Sequence, residues 1–135
     1  MYKGIKGINT LEEYMIEPYS ELIESIVRYL YYDNVNEALA RFNNISIDQK
    51  NMWYKGVYTA LKGTIESFRR NNHSKPSLIE RALKTMKIEE IKLLIDIFLK
   101  RLNKPFTDDF DRGYIITMII ILNEIIKLKE QKLSK

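Results

Sequence analysis

Cysteine is absent from this 135-residue chain, which excludes disulfides, thiolate nucleophiles and Cys-ligated zinc together. A single histidine leaves too few partners for a histidine metal site or a catalytic triad. It is His73, in the polar run Asn71-Asn72-His73-Ser74-Lys75-Pro76, where a linker residue without catalytic duty is expected. With only three prolines and five glycines and no low-complexity tract, little of the chain is expected to be disordered. No glycine-rich phosphate loop is present: Gly4-Ile5-Lys6-Gly7 lacks both the spacing and the following Lys-Ser/Thr. Nor is there an apolar run of the roughly 20 residues needed to span a bilayer. The longest apolar stretch, Tyr114 to Leu122, is far shorter. Residues Met1 to Gly7 are basic but lead into Glu12 and Glu13 instead of an apolar core, so a cytoplasmic protein without membrane contact is expected.

What is present suits one domain. With 45% apolar and 30% charged residues, the chain can bury one substantial core and is too short for two. Its net charge of +4 is unevenly placed, since residues 1–50 carry five Lys/Arg against eight Asp/Glu and the remainder seventeen against ten. Such a bipolar chain can offer a basic face to a polyanion, and it can also associate with itself head to tail.

Helix starts are marked by Ser or Thr followed three residues later by Glu or Gln: Thr10 with Glu13, Ser46 with Gln49, and Ser77 with Glu80. A further start is expected at Thr107, where Asp108 and Asp109 suit the positive end of a helix dipole. These signals and the apolar spacing predict helices at about 10–16, 18–32, 34–43, 47–70, 77–86, 88–103 and 107–131. Pro18 is read as a first helical position, so the first two segments are expected to meet at an angle. The fold class is therefore all-α, a compact bundle of about six to seven helices. Residues 1–9 are expected to be flexible, 10–131 to form the single domain, and 132–135 to be a tail.

One segment occurs twice in pattern. Trp53-Tyr54-Lys55-Gly56-Val57 and Phe110-Asp111-Arg112-Gly113-Tyr114 both read aromatic, any, basic, Gly, apolar. Upstream, Leu22-Ile23-Glu24 is echoed by Leu78-Ile79-Glu80, and Arg41-Phe42-Asn43 by Arg101-Leu102-Asn103. Offsets near whole helical turns support two pseudo-duplicated units, 20–70 and 77–130, joined by the linker 71–76. Gly56, Ala60, Gly63 and Ser67 line one helix face, and Gly113, Thr117, Ile120 and Glu124 the other. Because Gly inside a helix costs about 1 kcal/mol relative to Ala, these stripes predict that the two helices pack against each other. Overpacking at Gly63 is expected to destabilise.

The candidate chemistry is sparse. Asp108, Asp109 and Asp111 are better explained as helix capping than as a magnesium site, which needs carboxylates converging from several elements. Glu124 follows the apolar run and could be read as a buried carboxylate, but it is expected to be a paired or snorkelling surface residue near Lys127 or Lys129. The best nucleic-acid candidates are Arg69, Arg70, Lys75, Arg81, Lys84 and Lys87, gathered around the linker with only Glu80 among them. They could follow a phosphate backbone, although the aromatic residues needed to stack on single strands are missing there. Tyr29, Tyr31 and Tyr32 form a second cluster that cannot all face one core, and they are the candidate protein interface. The reading is a non-enzymatic binding protein without a cofactor, an accessory subunit of a nucleic-acid-associated assembly contacting DNA or RNA. The alternative is a self-associating adaptor, with a protein partner or a homodimer and no nucleic-acid contact.

Overall fold

The computed structural model describes residues 5–70 and 76–133, which hold six α-helices and no strand. They are α1 (Thr10–Tyr31), α2 (Val35–Asn43), α3 (Met52–Arg69), α4 (Leu78–Lys84), α5 (Ile88–Leu102) and α6 (Asp109–Leu133). Among the described residues no helix is long and apolar enough to cross a membrane.

Long-range pairs fix the arrangement. Glu12 meets Arg112 near the starts of α1 and α6, and Arg28 meets Glu124 further along both, so these helices run in the same direction. Tyr54 at the start of α3 donates its hydroxyl to the Met15 carbonyl on α1 at 3.0 Å. Helices α1, α3 and α6 thus begin together at what is here the lower end of the bundle. Helix α5 comes back down, since the carbonyl of its last residue, Leu102, accepts from Arg112. The C-terminal turns of α1 and α6 meet the start of α5 at the upper end.

Helix α6 is the axis. From Ile115 to Leu122 every residue is buried, Thr117 among them at 0% exposure, and the Thr117 hydroxyl is satisfied by the Gly113 carbonyl at 2.8 Å. An all-round apolar helix in water requires such enclosure, and α3 provides the largest share of it. The contact is possible because both helices offer a glycine where they cross. A Cβ on Gly56 would lie 2.1 Å from the Phe110 carbonyl oxygen, and one on Gly113 would lie 1.9 Å from that of Trp53. Each glycine therefore faces the carbonyl three residues before the other, a reciprocal contact with no room for a side chain.

Local signals were followed in some places and overridden in others. Ser77 and Glu80 form the expected capping box at the start of α4, with contacts of 3.1 and 3.2 Å. At α1 the box is made one residue earlier, by Asn9 and Glu12, because Glu12 must also turn inward to Arg112 and Trp53. Pro18 starts no second helix but lies inside the continuous α1. It sits on the exposed face one turn above Tyr14, so the carbonyl deprived of its helical donor borders solvent, and the buried stripe of Ile16, Ile23 and Ile26 carries the helix through. Nor does a helix begin at Ser46: Ile47 reaches the core from a loop, and Asn51 caps α3 by accepting from the Tyr54 N–H at 3.2 Å. Before α6 the cap is Asp108, accepting from the Asp111 N–H at 2.8 Å, while the Thr107 hydroxyl turns back to the Arg101 and Lys104 carbonyls. The chain also packs ahead of residue 10, with Ile5 buried and the Gly7 carbonyl held by Arg112.

Gly63 corrects the expected small-residue stripe. It is exposed, and a Cβ there would meet nothing within 4 Å, so no backbone approaches it and overpacking does not arise. Opposite outcomes are expected for the same substitution at the two kinds of glycine. Gly63→Ala should stabilise by about 0.5–1 kcal/mol through lost unfolded-state freedom, whereas Gly56→Ala or Gly113→Ala should cost about 1–3 kcal/mol by forcing α3 and α6 apart. Urea denaturation of the three variants checks both signs.

Candidate functional site

The strongest polar constellation lies at the lower end, and its partners come from distant parts of the chain. Glu12, 4% exposed, accepts from the Arg112 guanidinium at both oxygens, with Nε to Oε2 at 2.7 Å and Nη2 to Oε1 at 2.6 Å. The Trp53 indole N–H donates to Oε2 at 2.8 Å. Arg112 also donates to the carbonyls of Leu102 and Gly7, at 2.9 and 2.6 Å. One guanidinium thus ties the N-terminal segment, α1 and the end of α5 to α6. Burial would raise the Glu12 pKa, but the hydrogen bonds from Arg112 and Trp53, with the guanidinium's charge, outweigh it and hold the carboxyl below its ordinary value. A cleft of about 550 Å³ adjoins the cluster. Of the charged groups in its lining, Glu12 and Arg112 are engaged with one another and Asp109 is exposed, so the Glu12 and Arg112 pair acts as a structural clamp.

Glu124 is buried at 7% exposure and not a surface residue; the cation within ion-pair distance is Arg28 of α1, at 3.4 Å, while Lys127 acts on it from further away. Burial and the neighbouring Glu24 push its pKa up, and Lys127 and Arg28 only partly oppose them. Lys129 is engaged elsewhere, donating to the Met86 carbonyl between α4 and α5.

The cations singled out in the sequence divide into groups. Lys75 lies outside the described residues. Arg69 is exposed but paired with Glu66 at 2.9 Å. Arg70, Arg81 and Lys84 are exposed. The Lys84 ammonium stands 6.0 Å from the Phe68 ring centre, and the Ser67 and Ser77 hydroxyls are 3.0 Å apart, so the end of α3 and the outer face of α4 adjoin. Glu80, the acid among these cations, is turned inward and spent in the α4 capping box. Lys87 leaves the group and faces a groove on the far side of the α4 to α5 turn.

That groove brings together residues the sequence had kept apart. It is an open cavity of about 570 Å³ with Tyr31, Met86, Ile88 and Leu133 as apolar wall and Lys87, Lys129 and Lys132, with one carboxylate, Glu89, as rim. Of the three tyrosines, Tyr29 is half-buried beside the Arg41 guanidinium, Tyr31 lines the groove, and Tyr32 is 71% exposed with its ring edge-on to Tyr31 at 5.1 Å. Nothing in the sequence order joined Tyr31 to Lys87 and Lys132; the parallel run of α1 and α6 does so. Among the described residues no group of three or more His, Asp or Glu is placed to hold a metal ion. Comparison with known protein families, with characterised proteins and with solved structures finds no match to this chain.

The two buried carboxylates predict opposite pH behaviour. The lowered pKa of Glu12 adds stability that is present above the ordinary value of 4.5 and lost as pH falls through the folded value. The raised pKa of Glu124 adds stability below 4.5 that is lost as pH rises through its folded value. At neutral pH, Glu12→Gln should therefore cost about 3 kcal/mol by stranding Arg112 and weaken the acid-induced fall in stability. Glu124→Gln should leave stability equal or higher. Denaturation midpoints between pH 3 and pH 8 separate the two.

Proposed function

We propose that this chain is a non-enzymatic binding protein, an accessory subunit that contacts nucleic acid through the adjoining ends of α3 and α4. The observation that carries the reading is that Arg70, Arg81 and Lys84 are exposed on neighbouring surfaces while Glu80 is withdrawn into a cap. Three cations with no carboxylate between them attract a phosphate backbone, and such contacts position a protein without reading bases. Arg69, occupied by Glu66, contributes less. Binding should be weakly sequence-selective. With three to four phosphate contacts, duplex affinity should fall with salt at a logarithmic slope of about −2.7 to −3.6. Replacing Arg70, Arg81 and Lys84 by Glu should abolish binding with little change in melting temperature, because exposed charges contribute little to stability. Wild-type protein that fails to bind duplex at low salt overturns the reading in favour of an adaptor without nucleic-acid contact, for which the exposed Tyr32 and the groove beside Tyr31 speak.

We also propose that the bundle is built from two related units, each ending in a glycine-bearing helix. The reciprocal approach of Gly56 and Gly113 supports this. The seven residues of α4 against twenty-two of α1 show how far the units would have diverged. Superposition of 20–70 on 77–130 in an experimental structure should match more than the glycine helices with the same chain direction.

A further inference from the structure

We propose that the lysine-rimmed groove at the upper end receives the outer face of the first turns of α1 from a second copy of the chain, joining copies head to tail. This inference does not rest on nucleic-acid binding. The groove offers an apolar wall of Tyr31, Ile88 and Leu133 with Lys87, Lys129 and Lys132 in its lining, three cations against the single carboxylate of Glu89. Its natural occupant carries apolar side chains beside a carboxylate. Such a surface exists on this chain. Leu11, Tyr14, Pro18 and Glu21 recur at three- and four-residue spacing on one side of α1, and all four are exposed, Leu11 at 67% and Tyr14 at 81%. Seated in the groove, Tyr14 and Leu11 would meet the wall, and the Glu21 carboxylate would meet the lysine rim.

A molecule cannot fill its own groove. Leu11 and Tyr31 are twenty residues apart on one continuous helix, about 30 Å at 1.5 Å per residue, with the donor face at the lower end and the receptor at the upper. A contact between different surfaces is heterologous and does not close on itself as a two-fold dimer does, so copies add into open chains or rings. Three helical turns in one groove bury a small area, which places the contact among weak interfaces, below about 1,200 Å². Its charge pairing makes it salt-sensitive.

The test is sedimentation velocity at rising protein concentration, without nucleic acid. Wild-type protein should grow in mass with concentration at about 0.05 M salt and shift towards the 16.1 kDa monomer at about 0.5 M. Two variants break opposite sides of the contact: Lys132→Glu with Leu133→Ser in the groove, and Tyr14→Ser with Glu21→Ala on α1. All four positions are exposed, so folding should survive, which circular dichroism checks. Each variant alone should be monomeric. Their mixture retains one intact groove and one intact α1 face, and should form a 1:1 heterodimer that grows no further. A wild type that is monomeric to millimolar concentration at low salt overturns the proposal, as does a mixture that fails to pair. A groove variant that still assembles would assign association to another surface. Groove-dependent binding of poly-glutamate by a wild type that stays monomeric would make the occupant an acidic partner instead of a second copy. Arg70, Arg81 and Lys84 are untouched throughout, so nucleic-acid binding can fail or persist independently.

Discussion

Two backbones touch at Gly56 and Gly113 with no side chain between them, and the rest of the bundle is arranged around that approach. Packed helices usually stand 8–10 Å apart, at a distance set by the side chains between them. Removing both side chains lets α3 press against α6 from the first turn of each. The isoleucine-rich middle of α6 is then enclosed by α1 and α5, with a smaller share from α4. A helix apolar on every side is thereby made compatible with water.

The close approach also creates an electrostatic opportunity at the lower end. Trp53, three residues before Gly56, and Arg112, next to Gly113, are delivered to the same carboxylate on α1. A buried Glu alone would be costly, and a buried Arg likewise. Together with the Trp53 N–H they satisfy one another, so α1 is located by direction as well as by apolar contact. At the other end the same parallel run sets the C-terminal turn of α1 beside that of α6, which is why a groove with both aromatic and cationic character appears there.

How much of this was readable beforehand depended on the range of the forces involved. The Ser77 and Glu80 cap is a contact over three residues, and it is present as the spacing implied. The meeting of the Gly56 and Gly113 helices was legible because a glycine in a helix signals a neighbour. Gly63 carries the same letter, yet it faces solvent, since the letter does not say on which side the neighbour stands. Ser46 and Pro18 were misleading because local propensity there is worth about a kilocalorie or a few, less than the burial of Ile47 or of the α1 stripe can outweigh. The Glu12 clamp had no local signature, as its partners are 41 and 100 residues away. The groove was invisible for the same reason: Tyr31, Lys87 and Lys132 meet only in three dimensions.

The position of α6 has a consequence for how the chain comes to be folded. The helix that fills the centre is the last of the six to leave the ribosome, and Arg112 must find Glu12 across an intervening span of 100 residues. Until α6 emerges, α1, α2, α3 and α4 can bury only the smaller surfaces they share with one another. Much of their apolar stripes is then exposed on a nascent chain that lacks its central helix. Such a chain commits to its structure late and all at once, and a ribosome stalled before residue 109 would present a collapsed intermediate of the kind that chaperones bind and proteases remove.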